Sequence, residues 1–228
     1  MNVVDLTHVL AEGMPVYPGT EGPTLTVVHD YKSEGFRETC LTLYSHTGTH
    51  MDAPAHLYPT GMPLDQLPIT RFMGSAVVIH CSELQAGERI TMAHIRRQWD
   101  AATRAEYLLF HTGWSRYWGQ PEYFEAYPCM THQVADWLLR TGKKGIGLDT
   151  ISVDPVADDS LALHKKLLAT NQMVIVENLT GLEQVGDGLV WFCAMPLKQA
   201  QADGAPVRAA AFWPEKAEVQ KHRQKNEA

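Results

Sequence analysis

The chain has little of what would fix its class at once. Its four cysteines, Cys40, Cys81, Cys129 and Cys193, are widely spread over 228 residues and never form a Cys-x-x-Cys pair. This spacing argues against a disulfide framework or a sulfur-rich zinc site, and the four read as buried small hydrophobes. Cations are in deficit: 19 Lys and Arg against 26 Asp and Glu give a formal net charge of −7. Without a basic footprint to neutralise phosphates, nucleic acid is excluded as an expected partner. No apolar run approaches a membrane span, and the opening Met1-Asn2-Val3-Val4-Asp5-Leu6-Thr7-His8 has no positive segment followed by a long apolar stretch. No membrane association is expected, and the expected location is cytoplasmic. Repeats, low-complexity tracts and linkers are also missing.

What is present is an ordinary globular composition, 45% hydrophobic and 20% charged, in a chain long enough to bury a core unaided. We read residues 1–213 as a single domain. Residues 214–228 are polar, show no apolar face and read as a tail that is mobile or a peripheral helix.

The segments 24–31 (TLTVVHDY) and 36–45 (FRETCLTLYS) flank Lys32-Ser33-Glu34-Gly35 and predict an antiparallel hairpin. Pro59, Gly61, Pro63 and Pro68 mark a loop before the strand SAVVIHC at 75–81. Thr91 can cap a helix over about 92–100, and Thr131 can cap an amphipathic helix that Gly142 ends. Strands are expected at YLLFHT (107–112), GIGLD (145–149) and MVIVEN (173–178), with a short helix at 160–170. LVWFCAMP (189–196) and PVRAAAFW (206–213) suggest two closing strands. The alternation reads as mixed α/β.

The densest chemistry is His46-Thr47-Gly48-Thr49-His50-Met51-Asp52-Ala53-Pro54-Ala55-His56, which holds three imidazoles and a carboxylate. These are donors suited to zinc or manganese. A regular strand would hold His46 and His50 roughly 13 Å apart, too far to share an ion. Gly48 and Pro54 oppose a helix through the whole stretch. A tight irregular turn leaving a strand that ends near Ser45 is therefore expected. Taken singly, His8, His29, His80, His94, His111, His132 and His222 read as hydrogen-bonded or surface residues. Four specified residues at fixed spacing arise by composition roughly once in several hundred chains, so the cluster reads differently. His164 on the helix LALHKKLLAT and Glu177 at the end of the apolar strand MVIVEN are further ligand candidates, a buried acid needing a cation or a hydrogen-bond partner.

With these residues in view the chain resembles the cyclase family of metal-dependent hydrolases, which includes kynurenine formamidases and isatin hydrolases. The family signature His-x-Gly-Thr/Ala-His-x-Asp-x-Pro-x-His stands as His46 to His56. The resemblance runs from Asp5-Leu6 to about Trp213, through Pro15 to Gly19, Phe110 to Trp114, Gly147 to Asp154 and Val176 to Leu179. It implies a swivelling β/β/α fold, a mixed sheet with flanking helices, and a homodimer or homotetramer. It also implies that His46, His50 and Asp52 bind one metal ion, that Asp52, His164 and Glu177 complete a second position, and that His56 is the catalytic acid/base. Zinc is the preferred ion and manganese the alternative, with one or two ions per subunit. The formamidase pattern flanks the Pro-Gly of the N-terminal turn with Trp and Asp, where this chain has Tyr17 and Thr20. Tyr17 is taken as a substrate-stacking residue.

The expected activity is hydrolysis of the amide bond of a small aryl formamide such as N-formylkynurenine, by metal-activated hydroxide with His56 moving the proton. Ring opening of isatin-like cyclic amides or lactones is the alternative within enzymes. A non-catalytic metal-binding protein is the alternative outside them, and the nearby free base His56 argues against it. A serine or cysteine hydrolase lacks a nucleophile elbow. Asp149, Ser152 and Asp154 are candidates for supporting the site by hydrogen bonding, although a strand-end loop rich in Asp and Ser is ordinary.

Overall fold

A computed structural model describes residues 1–215. The tail expected at 214–228 lies outside the described residues from position 216 onward.

The predicted hairpin forms from β1-independent strands: β1 is Asn2–Asp5, and the hairpin pairs β2 (Thr24–His29) with β3 (Glu38–Thr42) in antiparallel register. No residue of the two hairpin strands is buried, so Cys40 is exposed. Cys193 is half-buried, and only Cys81 and Cys129 follow the expectation of burial.

The remaining strands are β4 (His50–Asp52), β5 (Met73–His80), β6 (Arg89–Ile90), β7 (Tyr107–His111), β8 (Cys129–Met130), β9 (Gly145–Leu148), β10 (Val174–Glu177), β11 (Val190–Pro196) and β12 (Gly204–Trp213). The main sheet runs β1-β12-β11-β5-β7-β9-β10-β4, and β4 pairs back onto β12. Seven strands from β12 round to β4 thus close a ring, with parallel pairing among β5, β7, β9 and β10 and antiparallel pairing elsewhere. The small pair β6 and β8 stands apart.

Closure explains why the central strands read as unbroken apolar runs, since both their faces are buried. Ala76, Val78, Tyr107, Leu109, Val174 and Val176 face one cluster, which also takes Met51, Phe192, Ala205 and Ala209 and fills the ring. The alternating Val77, Ile79, Leu108, Phe110, Ile146 and Ile175 face a second cluster. That outer layer is covered by helices α1 (Met92–Arg96), α2 (Trp99–Arg104), α3 (His132–Arg140) and α4 (Ala162–Leu168). The helix expected over 92–100 is broken into α1 and α2. Gln98 leaves helical geometry at φ −128°, ψ 38°, and its side-chain amide donates to Val78 O at 2.8 Å, tying the break to β5. Thr91 caps α1 as expected, and His94 Nδ1 accepts the Thr91 N–H in return.

Candidate metal centre

The segment from His46 to His56 is not one irregular turn, as its sequence suggests, but three pieces. Residues 43–49 make the reversal, with Gly48 at φ +66°, a conformation that favours glycine. His50–Asp52 form β4, and Pro54–His56 form a single turn of 3-10 helix. The reversal brings the His46 and His50 rings to 5.1 Å between centroids. Strand geometry then sends His50 and Asp52 to one face while Met51, between them, enters the ring interior.

Neighbouring strands deliver the remaining groups. In the β4–β10 register Glu177 faces His50, and in the β4–β12 register Gly204 faces Asp52. His164 reaches the same point from α4. Among the described residues three groups of side chains each place their donor atoms within 4.8 Å of one another: His46, His50 and Asp52; Asp52, His164 and Glu177; and, less buried, His46, His56 and Asp203. Asp52 belongs to the first two. Its Oδ1 lies 2.7 Å from His46 Nδ1 and 3.2 Å from His50 Nε2, and its Oδ2 lies 3.4 Å from His164 Nε2. Glu177 Oε1 accepts from Val153 N at 2.7 Å and sits 3.3 Å from His164 Nε2.

The donors are aimed from behind. Gly48 O can only accept, so His50 Nδ1 at 2.8 Å carries the proton and Nε2 presents its lone pair. His164 Nδ1 is held at 2.9 Å by Asp154 Oδ2, whose carboxylate also takes the Leu163 and His164 N–H groups. Asp154 in turn accepts nothing from Asp149. That acid instead binds Thr112 N, Thr112 Oγ1 and Gly113 N, away from the cluster. Ser152 lines the cavity, and its Oγ accepts from Asp154 N at 3.3 Å. Of the three supporting candidates, Asp154 touches a donor directly, Ser152 acts through it and Asp149 belongs elsewhere.

Burial opposes charge here, yet Asp52, Asp154 and Asp203 are held in their ionised form. Burial alone would raise the Asp52 carboxyl, but the facing His164 and His46 imidazoles hold it well below the usual range. Burial alone would lower His46, but Asp52 and Asp203 carry it up to about 9. His164 is likewise pulled down by burial and driven well above its ordinary value by Asp154, Asp52 and Glu177. These shifts have one origin, a buried set of acids that draws positive charge. Asp52 is 1% exposed, and among the described residues its Oδ2 has no hydrogen-bond partner. Imidazole and carboxylate donors around an unpaired buried oxygen fit a divalent cation such as zinc or manganese.

His56 differs from the donors. Its side chain makes no hydrogen bond among the described residues, its ring lies tilted at 4.0 Å from that of His46, and burial pulls its pKa down to about 4. It is therefore a neutral base beside the cluster. A cavity of about 490 Å³ opens over these groups, and Tyr17, Tyr44, Ile151 and Leu161 give it an apolar wall. Tyr17 thus lines the cavity that holds the donors. Sequence reasoning missed Tyr44 and Asp203. Asp203 Oδ2 lies 3.1 Å from His46 Nε2 and 3.9 Å from His56 Nδ1, and its one local signal is an acid directly before a Gly that opens an apolar strand.

The family model described as "Putative cyclase" matches residues 4–155, which include the whole His46–His56 segment. The chain belongs to the cyclase family. A kynurenine formamidase from Geobacillus thermodenitrificans is 33% identical over 210 residues, covering 91% of this chain and 95% of that protein. Among solved structures, an isatin hydrolase bound to the product analogue thioisatinate is 26% identical with a TM-score of 0.80, covering 93% and 92% of the two chains. A potential metal-dependent hydrolase with cyclase activity is 25% identical with a TM-score of 0.73, covering 93% and 99%. The fold is that of these cyclase-family proteins, a mixed α/β architecture in which the sheet closes on itself. No helix among the described residues is long and apolar enough to cross a membrane.

Proposed function

We propose that this protein is a metal-dependent amidohydrolase acting on a small aryl amide, with a formamide such as N-formylkynurenine as the preferred substrate. The observation that carries the reading is the double convergence on Asp52: two donor groups sharing one buried carboxylate, with a neutral histidine beside them. The kynurenine formamidase and isatin hydrolase relatives support amide hydrolysis as the reaction.

His46, His50 and Asp52 would hold one cation, and Asp52, His164 and Glu177 a second. A cation held there lowers the pKa of bound water from 15.7 to about 7 and polarises a carbonyl oxygen. The protein's own part is orientation and proton traffic. Gly48 O and Asp154 fix the tautomers of His50 and His164, so both present Nε2 to the site. His56, neutral at physiological pH, takes a proton from the attacking water and passes it to the departing nitrogen. The apolar wall of Tyr17, Tyr44, Ile151 and Leu161 excludes water and packs an aryl ring.

The replacement of Trp and Asp by Tyr17 and Thr20 keeps a second reading alive, ring opening of an isatin-like cyclic amide. Cation-reconstituted protein should be assayed against N-formylkynurenine, isatin and simple aryl formamides. Release of formate from the first and third supports the preferred reading. Turnover of isatin with none of N-formylkynurenine would replace it with the second, and failure on all three would remove the amidohydrolase assignment.

A further inference from the structure

Asp203 touches the site yet is neither one of the five donors nor the proton carrier. It directly precedes β12, and its carbonyl oxygen accepts from Ala53 N at 2.8 Å, which ties it to the end of β4. From that anchor its Oδ2 accepts from Ser45 Oγ at 3.4 Å and meets His46 Nε2 at 3.1 Å. The 3.9 Å to His56 Nδ1 is beyond hydrogen-bond reach, so the carboxylate belongs to His46. Gly204 completes the cradle. A Cβ there would lie 2.5 Å from His46 Cε1, so only glycine lets the imidazole lie against β12.

Both nitrogens of His46 face carboxylates, Nδ1 toward Asp52 and Nε2 toward Asp203. A cation shared with His50 and Asp52 needs the Nδ1 lone pair, which leaves the ring proton on Nε2 in need of an acceptor. His50 and His164 have theirs in Gly48 O and Asp154. We propose that Asp203 is the positioning residue of His46, accepting its Nε2 proton and fixing the tautomer that leaves Nδ1 free for a cation. The inference rests on the metal-centre reading above. A carboxylate in this place also raises the basicity of the imidazole, as outer-shell partners of metal-binding histidines do.

The test uses metal-free full-length protein titrated with zinc in competition with a chelating dye, for wild type, Asp203→Ala, Asp203→Asn and Asp159→Ala. Asp159 lines the same cavity but makes no hydrogen bond or ion pair with these imidazoles among the described residues, so it controls for loss of charge alone. Asp203→Ala should weaken zinc about 10–100-fold. Asp203→Asn, which keeps an acceptor oxygen, should restore most of the affinity, and Asp159→Ala should change it by less than about threefold. In the zinc-loaded wild type, ¹⁵N NMR should show His46 protonated at Nε2 with that proton protected from exchange with water, and the protection should disappear in Asp203→Ala. Zinc affinity in Asp203→Ala within twofold of wild type would overturn the proposal, as would an equal loss in Asp159→Ala. Wild type that binds no zinc would instead overturn the metal-centre reading itself.

Discussion

His50 and Glu177 are direct partners across the antiparallel β4–β10 pair, with Nε2 and Oε2 3.6 Å apart. The same strand pair closes the ring against β12. The site and the closure of the barrel are therefore one piece of architecture, and a ligand that joins the strands holds the fold together.

Cation binding should accordingly stabilise the protein. A ligand at 100 times its dissociation constant contributes about 2.7 kcal/mol, which for a chain of this size is a rise in Tm of about 5–10 °C. Differential scanning fluorimetry with and without zinc or manganese measures it. An unchanged Tm under saturating cation would separate the site from the closure.

His56→Ala should keep cation affinity within a few-fold while losing about 10²–10⁴ in kcat, the range of a general acid/base. Asp52→Ala should lose the cation first, because both donor groups share that carboxylate. The two variants therefore separate in a binding titration before any turnover is measured. Full activity in His56→Ala would remove that residue from the reaction.

Asp154→Ala should have two effects at once. Its carboxylate orients His164 Nδ1 and accepts the first N–H groups of α4. Loss of a helix cap costs about 1 kcal/mol, and loss of the outer partner weakens cation binding about 10–100-fold. Urea denaturation of metal-free protein reads the first effect and a zinc titration the second.

His8 gives a pH dependence independent of the cation. Its ring stacks on Trp118 at 3.8 Å, and burial pulls its pKa from 6.5 to about 4. Between those values the unfolded chain binds the proton and the folded chain does not. This contribution is fully present above pH 6.5 and is lost as pH falls toward 4. Discounted for partial exposure, it is on the order of 1–2 kcal/mol. In metal-free protein, His8→Phe, which keeps the stacked ring, should show a shallower loss of stability than wild type over that window. Parallel curves would refute the assignment.

Much of this was legible in the sequence because buried strands carry their own signal. The runs at 75–81, 107–112, 145–149 and 173–178 are apolar on both faces for the reason that both faces are covered. Three of the five donors were legible because His46, His50 and Asp52 stand at family spacing within one eleven-residue segment, whereas His164 and Glu177 were weak candidates until the resemblance gave them a role. What stayed hidden is non-local. The strand His50-Met51-Asp52 has no apolar pattern, since its two outer residues serve the site, and its partners lie on β10 and β12 far along the chain. Asp203 finds His46 across 157 positions, a distance over which local spacing says nothing. Cys40 misled for a related reason: its strand belongs to a hairpin that leaves both faces open.

The most direct test is hydrolysis of an aryl formamide by the same protein sample before chelation, after removal of bound metal, and after addition of zinc or manganese. The account predicts that chelation abolishes formate release and that one of the two cations restores it. Formate release that survives complete removal of metal would contradict it.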